Sequence, residues 1–266
     1  MNIRVIALNT FGGFLRDRLI ILFCALFVGM ILLMMTPLLF ARAMSAAGNT
    51  QQTQTMVLSI VTGITFLASG FGSLLAAWAA TDAIASEMRS GTILAVMARP
   101  VRRWEFLLGK YLGVQLLMVV YIAAMLLLGY FLAWLGGERI HSSWWLLVLY
   151  PMVRYAVYSA MAMLLVTALN PIVTIAIVLL IAVAANVVAP SSGHSAIPES
   201  IRTPLYVLLP STNLLSETRF LTLTQAPLNP NVWLDHVTAL AYGLDYALVC
   251  FLLAVWVFHY RGLTRD

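Results

Sequence analysis

Six long apolar stretches determine what this chain can fold into. A helix needs about 20 mainly apolar residues to cross the hydrocarbon core of a bilayer. The stretches that meet this requirement are residues 19–41, 56–80, 111–135, 144–169, 171–188 and 237–258. Only 9% of all residues are charged, against about 25% in soluble domains. The sequence therefore predicts an all-α protein that crosses a membrane six times.

A proline separates the fourth span from the fifth. Pro171 follows Asn170 inside an otherwise continuous apolar run. Proline is tolerated in the first turn of a helix and disfavours helix in the residue before it, so we predict two spans. One helix across both would contain about 45 residues and reach roughly 67 Å, about twice the thickness of the membrane.

The distribution of Arg and Lys predicts the orientation. If the amino terminus is cytosolic, ten basic residues outside the spans lie on the cytosolic side and four on the external side. Cytosolic loops carry the excess of basic residues in membrane proteins. We therefore predict a multi-pass protein of the plasma or inner membrane with both termini in the cytosol. Residues 189–236 are then an external segment.

Residues 1–18 are predicted to form an amphipathic helix that lies in the cytosolic interface. The residues that recur at helical spacing are Ile3, Ala7, Thr10 and Phe14. Arg4 and Arg16 lie away from this stripe, as expected for a helix that keeps its charges among the headgroups. Because two consecutive glycines interrupt the pattern, a frayed basic tail is the alternative.

Two charged residues lie inside the predicted spans. Arg154 and Asp245 each come about ten residues into a span that enters from the outside. A charge near the bilayer centre costs at least about 2.5–3.5 kcal/mol. Because the two have opposite charge and equal depth, a buried ion pair is the favoured interpretation. A role in a substrate path and separate contact with water are the alternatives.

The second span carries small residues at every fourth position. Ala68, Gly72 and Ala76 belong to this stripe. Small residues allow two helices to approach closely within a membrane. The stripe predicts helix packing within the chain, with a dimer interface or the wall of a conduit as alternatives.

Motifs for catalysis and for metal binding are not found in the sequence. Gly109 and Lys110 resemble the end of a phosphate-binding loop, but Trp104 stands at the first glycine position and Tyr111 follows the lysine. The four histidines are too far apart for a metal motif, and the basic residues form no stripe for nucleic acid. We therefore predict a chain that is not an enzyme and binds no cofactor, metal or nucleic acid.

A charged segment, residues 81–110, separates the second span from the third. Residues 82–99 combine apolar and charged side chains as an amphipathic cytosolic helix or helix pair does. Gly91 permits a turn, Thr92 can cap a second helix, and Pro100 ends it. Such a segment indicates a docking surface for a soluble partner, with an ordinary basic cytosolic loop as the alternative.

The sequence of this segment resembles that of the type-2 ABC transporter permeases, the export-type family that includes the permease of nitrous oxide reductase maturation. The matching residues are Glu87, Gly91, Thr92, Pro100, Arg103, Gly109 and Lys110. The resemblance implies a coupling helix that docks into a separate ATPase subunit, where ATP and Mg²⁺ bind. It also implies two ATPases with two permeases, the second being another copy or a homologue. Glu87 and Arg103 either contact the ATPase or brace the loop.

The predicted function is thus the membrane-spanning permease subunit of an ATP-driven exporter. A channel or secondary carrier that needs no ATPase is the main alternative, and it would use coupling charges near the midplane and repeat symmetry. A membrane scaffold or assembly factor is a further alternative.

Overall fold

The computed structural model describes most of the helical part of the chain. The described residues are 3–18, 20–23, 25, 27–29, 50–90, 102–136, 146–188, 198, 204, 209–215 and 232–260. The helices are α1 (Ile3–Arg16), α2 (Thr50–Ser90), α3 (Arg103–Gly136), α4 (Leu146–Ala168), α5 (Pro171–Val188) and α6 (Val232–Tyr260), with a 3-10 helix at Thr212–Leu215. Within these ranges there is no strand, so the all-α prediction is confirmed.

Among the described residues, four helices are long and apolar enough to cross a membrane. The four segments are Leu67–Arg89 in α2, Arg103–Leu127 in α3, Leu149–Ala168 in α4 and Leu234–Tyr260 in α6. They correspond to the second, third, fourth and sixth predicted spans and indicate a multi-pass membrane protein. The first predicted span, 19–41, lies largely outside the described residues. Shorter apolar helices at Ile20–Gly29 and Pro171–Ala185 begin at the predicted first and fifth spans, so six crossings remain a prediction.

The helix that contains the second predicted span continues further than the sequence predicts. The prediction ended it at residue 80, whereas α2 continues without a break to Ser90. Residues 82–90 are therefore the last turns of α2 and not a separate amphipathic helix. Similarly, α3 begins at Arg103, eight residues before the predicted start of the third span. The remaining part of the predicted coupling segment, with Gly91, Thr92 and Pro100, lies outside the described residues.

Contacts along the helices give their directions. Near its middle, α3 meets α2 through Tyr121, whose hydroxyl donates to the carbonyl of Ala68 at 2.6 Å. Near its start, α3 meets the end of α2, so the two are antiparallel. At the start of α4, the Tyr150 hydroxyl lies 2.6 Å from Nδ1 of His236 in the first turns of α6. These two helices are therefore parallel. The start of α3 also lies against the end of α6, where Arg103 binds the carbonyl of His259. Hence α2, α4 and α6 run in one direction and α3 runs in the other.

The helix α4 is the centre of the bundle. It is in contact with α2, α3, α5 and α6. The large side chains of α4 that are almost fully buried are Tyr150, Tyr155, Val157, Met163 and Val166. At one end of this bundle, α1, the end of α2, the start of α3 and the end of α6 come together. We call it the polar end, because the charged residues of the predicted coupling motif lie there.

Candidate functional site at the polar end of the bundle

An ion pair joins the end of α2 to the beginning of α3. The Nζ of Lys110 donates a hydrogen bond to Oε1 of Glu87. Lys110 is only 7% exposed, and its ammonium also lies 5.7 Å from the ring centroid of Phe106. A lysine this deeply buried needs a counter-charge. The structure thus brings together two residues of the predicted coupling motif, and they engage each other.

Arg103 ties the start of α3 to the end of α6. Its Nη1 donates to the carbonyl of His259 at 2.9 Å and to that of Phe258 at 3.3 Å. The last carbonyls of a helix have no partner within it, and a positive charge is favourable there. One turn along α3, Phe106 stacks on Phe258 with ring centroids 6.3 Å apart. Of the two roles left open by the sequence, this geometry supports bracing.

The helix α1 lies directly against α3. An added Cβ at Gly109 would lie 2.7 Å from the Cβ of Ile6, and one at Gly113 would lie 2.7 Å from the Cβ of Thr10. The two glycines are four residues apart on one face of α3, which is the spacing that lets helices approach closely in membranes. We call this contact the α1–α3 seam. The buried residues of α1 are Ile6, Ala7, Thr10 and Phe14.

The family resemblance assigned Gly109 to the contact with the ATPase, and Gly113 was not among the predicted site residues. The structure gives both a packing function within the chain. The sequence did contain a signal for this contact, because Gly109 and Gly113 have the Gly-x-x-x-Gly spacing. The packing role of the small-residue stripe in α2 was predicted from the same spacing.

A polar cleft of about 410 Å³ lies among α1, α2 and α3. Its polar and charged lining residues are Asn9, Thr10, Asp17, Asp82, Ser86, Glu87 and Lys110. Beside it, Arg89 donates to Oδ1 of Asp82 at 3.0 Å, and both residues belong to the last turns of α2. Among the described residues no cluster of three or more His, Cys, Asp or Glu side chains could hold a metal ion. The cleft therefore offers polar and charged contacts at the polar end of the bundle.

The small-residue stripe of α2 packs within the chain. Ala68 and Ala76 are fully buried. An added Cβ at Gly72 would lie 2.2 Å from the hydroxyl oxygen of Tyr155 and 2.7 Å from Cε1 of Tyr121. The absence of a side chain at Gly72 thus makes room for two tyrosines from α3 and α4. Of the interpretations left open, these contacts favour packing.

The structure does not bring Arg154 and Asp245 together. The two residues are at one level, since Val153 of α4 touches Gly243 of α6 at the position of its missing Cβ. Asp245, however, is exposed on the outer face of α6, and the guanidinium of Arg154 lies 5.9 Å from the ring centroid of Tyr155. Depth along a helix follows from counting residues, but the direction around its axis depends on packing. The predicted pair is therefore not formed.

Comparison with known families gives one match. The model of a family described as "ABC-2 family transporter protein" matches residues 4–263. The matched range begins at the second residue of α1 and extends beyond the end of α6, so it includes the polar end. Among curated proteins, none matches the chain.

Proposed function

The chain belongs to the ABC-2 family of transporter proteins, and we propose that it is the membrane permease subunit of an ATP-driven exporter, coupled to a separate ATPase. The export-type branch, which includes the permease of nitrous oxide reductase maturation, is the branch that the Glu87 to Lys110 pattern supports. In this proposal the polar end and both termini face the cytosol across the plasma or inner membrane. Two permeases, identical or homologous, work with two ATPases that bind ATP and Mg²⁺.

The main observation in support of this proposal is that the helices on both sides of residues 91–101 are attached to other helices. On one side, α2 is held by the ion pair from Glu87 to Lys110. On the other side, α3 is held to α6 by Arg103. A partner that pushes on the segment between these two points acts on three membrane helices together. A loop that only connected two spans would not need such anchors.

The α1–α3 seam extends this mechanical unit. Because Gly109 and Gly113 bring the backbones of α1 and α3 close together, α1 cannot slide freely along α3. A displacement at the start of α3 therefore carries α1 with it. We propose that binding of ATP by the partner moves this unit and tilts α2 and α3 relative to the central α4. Nothing in this mechanism requires a catalytic residue in the permease.

Replacement of the segment between the anchors tests the proposal. The permease with residues 91–101 replaced by a Gly/Ser linker of equal length is purified from native membranes beside the unchanged chain. We expect an ATP-hydrolysing protein to co-purify with the unchanged chain and to be lost from the variant. A matched control replaces eleven residues of the predicted external segment, 190–200, and should retain the ATPase.

The two variants are also compared with the unchanged chain by thermal unfolding in detergent, which separates a lost contact from a lost fold. Retention of the ATPase by the 91–101 variant, at unchanged stability, contradicts the proposal. So does sustained uphill transport by the purified chain alone in vesicles without nucleotide, because the proposal requires a separate ATPase.

A further inference from the structure

The outer face of α6 is mainly apolar, with one carboxylate at its centre and the hydroxyl of Thr238 seven residues before it. The residues of this face that are more than half exposed are Leu234, Val237, Leu244, Leu248, Leu252 and Trp256. From the first to the last of them, the face extends roughly 33 Å at 1.5 Å per residue, close to the thickness of a hydrocarbon core. Asp245 is exposed on the same face, eleven residues from Leu234 and eleven from Trp256.

The Asp245 carboxylate makes no hydrogen bond or ion pair with any residue in the described part of the chain. The acidic and histidine residues at the ends of α6, Asp235, His236 and His259, are ten, nine and fourteen positions away. Lipid tails offer no hydrogen-bond donor, and a carboxylate at this depth is costly unless a partner satisfies it. Such a surface is not an ordinary lipid-facing one.

We infer that this face of α6 binds one transmembrane helix of another protein, which places a basic side chain against Asp245 at the middle of the bilayer. The length of the exposed face matches a single membrane-spanning helix. Apolar side chains alone do not drive association, because lipid tails are equally apolar, so the polar contact at Asp245 is what favours a second helix here. The opposite charge is what the carboxylate requires, and a Lys or Arg would supply it. This inference goes beyond the proposed contacts with an ATPase and a second permease.

A second copy of the permease is a poorer occupant. Arg154 is the one basic residue within the six predicted spans. It belongs to the central helix α4, which is in contact with four other helices, and its guanidinium lies beside Tyr155. A symmetric contact between two α6 helices would place one Asp245 against the other, and like charges repel.

The test uses synthetic membrane-spanning peptides and the full chain in phosphatidylcholine vesicles. Cys24 and Cys250 are replaced by Ala, and Leu248→Cys provides a thiol one turn from Asp245. One peptide is Leu-rich with a central Arg and a Cys one turn to either side, and the other has Leu in place of the Arg. We expect at least tenfold more disulfide cross-linking to the Arg peptide. Asp245→Asn should reduce its cross-linking to that of the Leu peptide.

A relocated carboxylate serves as the control. In the variant Asp245→Asn/Ala123→Asp, the carboxylate is moved to an exposed position of α3, and Leu127→Cys replaces Leu248→Cys as the reporter thiol. We expect less cross-linking there, because the apolar side chains that precede Leu127 on the exposed side of α3, such as Leu116 at 36% and Val120 at 45%, are less exposed than those of the α6 face.

Three results would overturn the inference: equal cross-linking of both peptides to Leu248→Cys, equal cross-linking at the α3 position, or a homodimer cross-linked through Leu248→Cys without peptide. The last result would identify a second copy as the occupant. The vesicles contain no ATPase, so these outcomes are independent of whether the permease couples to one.

Discussion

Lys110 and Glu87 are 23 residues apart in the sequence and form an ion pair across the α2–α3 contact. Both belong to the motif that resembles a coupling segment, yet each neutralises the other within the chain. The side chain of Lys110 is 9% exposed and that of Glu87 23%. An approaching partner therefore meets a neutral pair, and the pair fixes the helix ends on either side of residues 91–101.

Removal of one member of this pair should destabilise the polar end. Glu87→Gln leaves the buried ammonium of Lys110 without its counter-charge. Breaking a fully buried pair costs about 3–5 kcal/mol, and because Glu87 is partly exposed we expect about 2–3 kcal/mol. Thermal unfolding in detergent measures the loss. The double variant Glu87→Gln/Lys110→Met should recover most of it, and a double variant as unstable as the single one would contradict the pairing.

A methyl group in the α1–α3 seam should force α1 away from α3. Gly109→Ala places a Cβ 2.7 Å from the Cβ of Ile6, and overpacking of this kind costs about 1–3 kcal/mol. Gly12→Ala is the matched control, because nothing lies within 4 Å of its added Cβ. The control should be neutral or up to about 1 kcal/mol more stable, since Ala favours helix over Gly. Equal unfolding temperatures for both variants would refute the close contact.

The same comparison can be made within α2. Gly72→Ala would drive its Cβ into Tyr155, whose hydroxyl oxygen would be only 2.2 Å away. Gly70→Ala, two residues earlier, meets nothing within 4 Å. We expect Gly72→Ala to cost about 2–3 kcal/mol, at the upper end for overpacked sites because a tyrosine ring cannot bend aside. Gly70→Ala should not destabilise. If both variants unfold at the same temperature as the unchanged chain, α2 and α4 must be further apart than the structure shows.

Loss of the Arg103 guanidinium should loosen the last turn of α6. Arg103→Gln removes the positive charge and the hydrogen bonds to the carbonyls of Phe258 and His259. A favourable charge at a helix carboxyl end contributes about 0.3–1 kcal/mol. We therefore expect a two- to fivefold faster amide exchange for a peptide covering residues 252–260. Arg103→Lys should lie between the two, and unchanged exchange in Arg103→Gln would remove the bracing role.

The features that the sequence predicted well are those that periodicity and length determine. The buried stripe of α1, with Ala7, Thr10 and Phe14, follows from helical spacing, and α4 and α5 separate at Asn170 and Pro171 as expected. These outcomes depend on local preferences of the backbone and on the thickness of the membrane. Neither requires knowledge of which helices are neighbours.

The features that the sequence could not determine depend on rotation about the helix axes and on contacts distant in sequence. Arg154 and Asp245 have matching depths, but packing of α4 against α6 through Val153 and Gly243 turns Asp245 outwards. The extension of α2 to Ser90 was also missed. The last turns of this helix carry Glu87 and Arg89, which pair with Lys110 and Asp82, and these contacts could not be foreseen from the order of residues alone.

The bond from Arg103 to the end of α6 has a consequence for biogenesis. Its acceptor carbonyls follow the arginine by 155 and 156 residues, so the ribosome must synthesise four predicted spans after Arg103 before the donor can reach them. Until then the first turn of α3 lacks its contact with α6. A premature stop codon between residues 103 and 258 would leave the chain without this contact. The contact of the Arg103 guanidinium with α6 therefore distinguishes a completed chain from a truncated one.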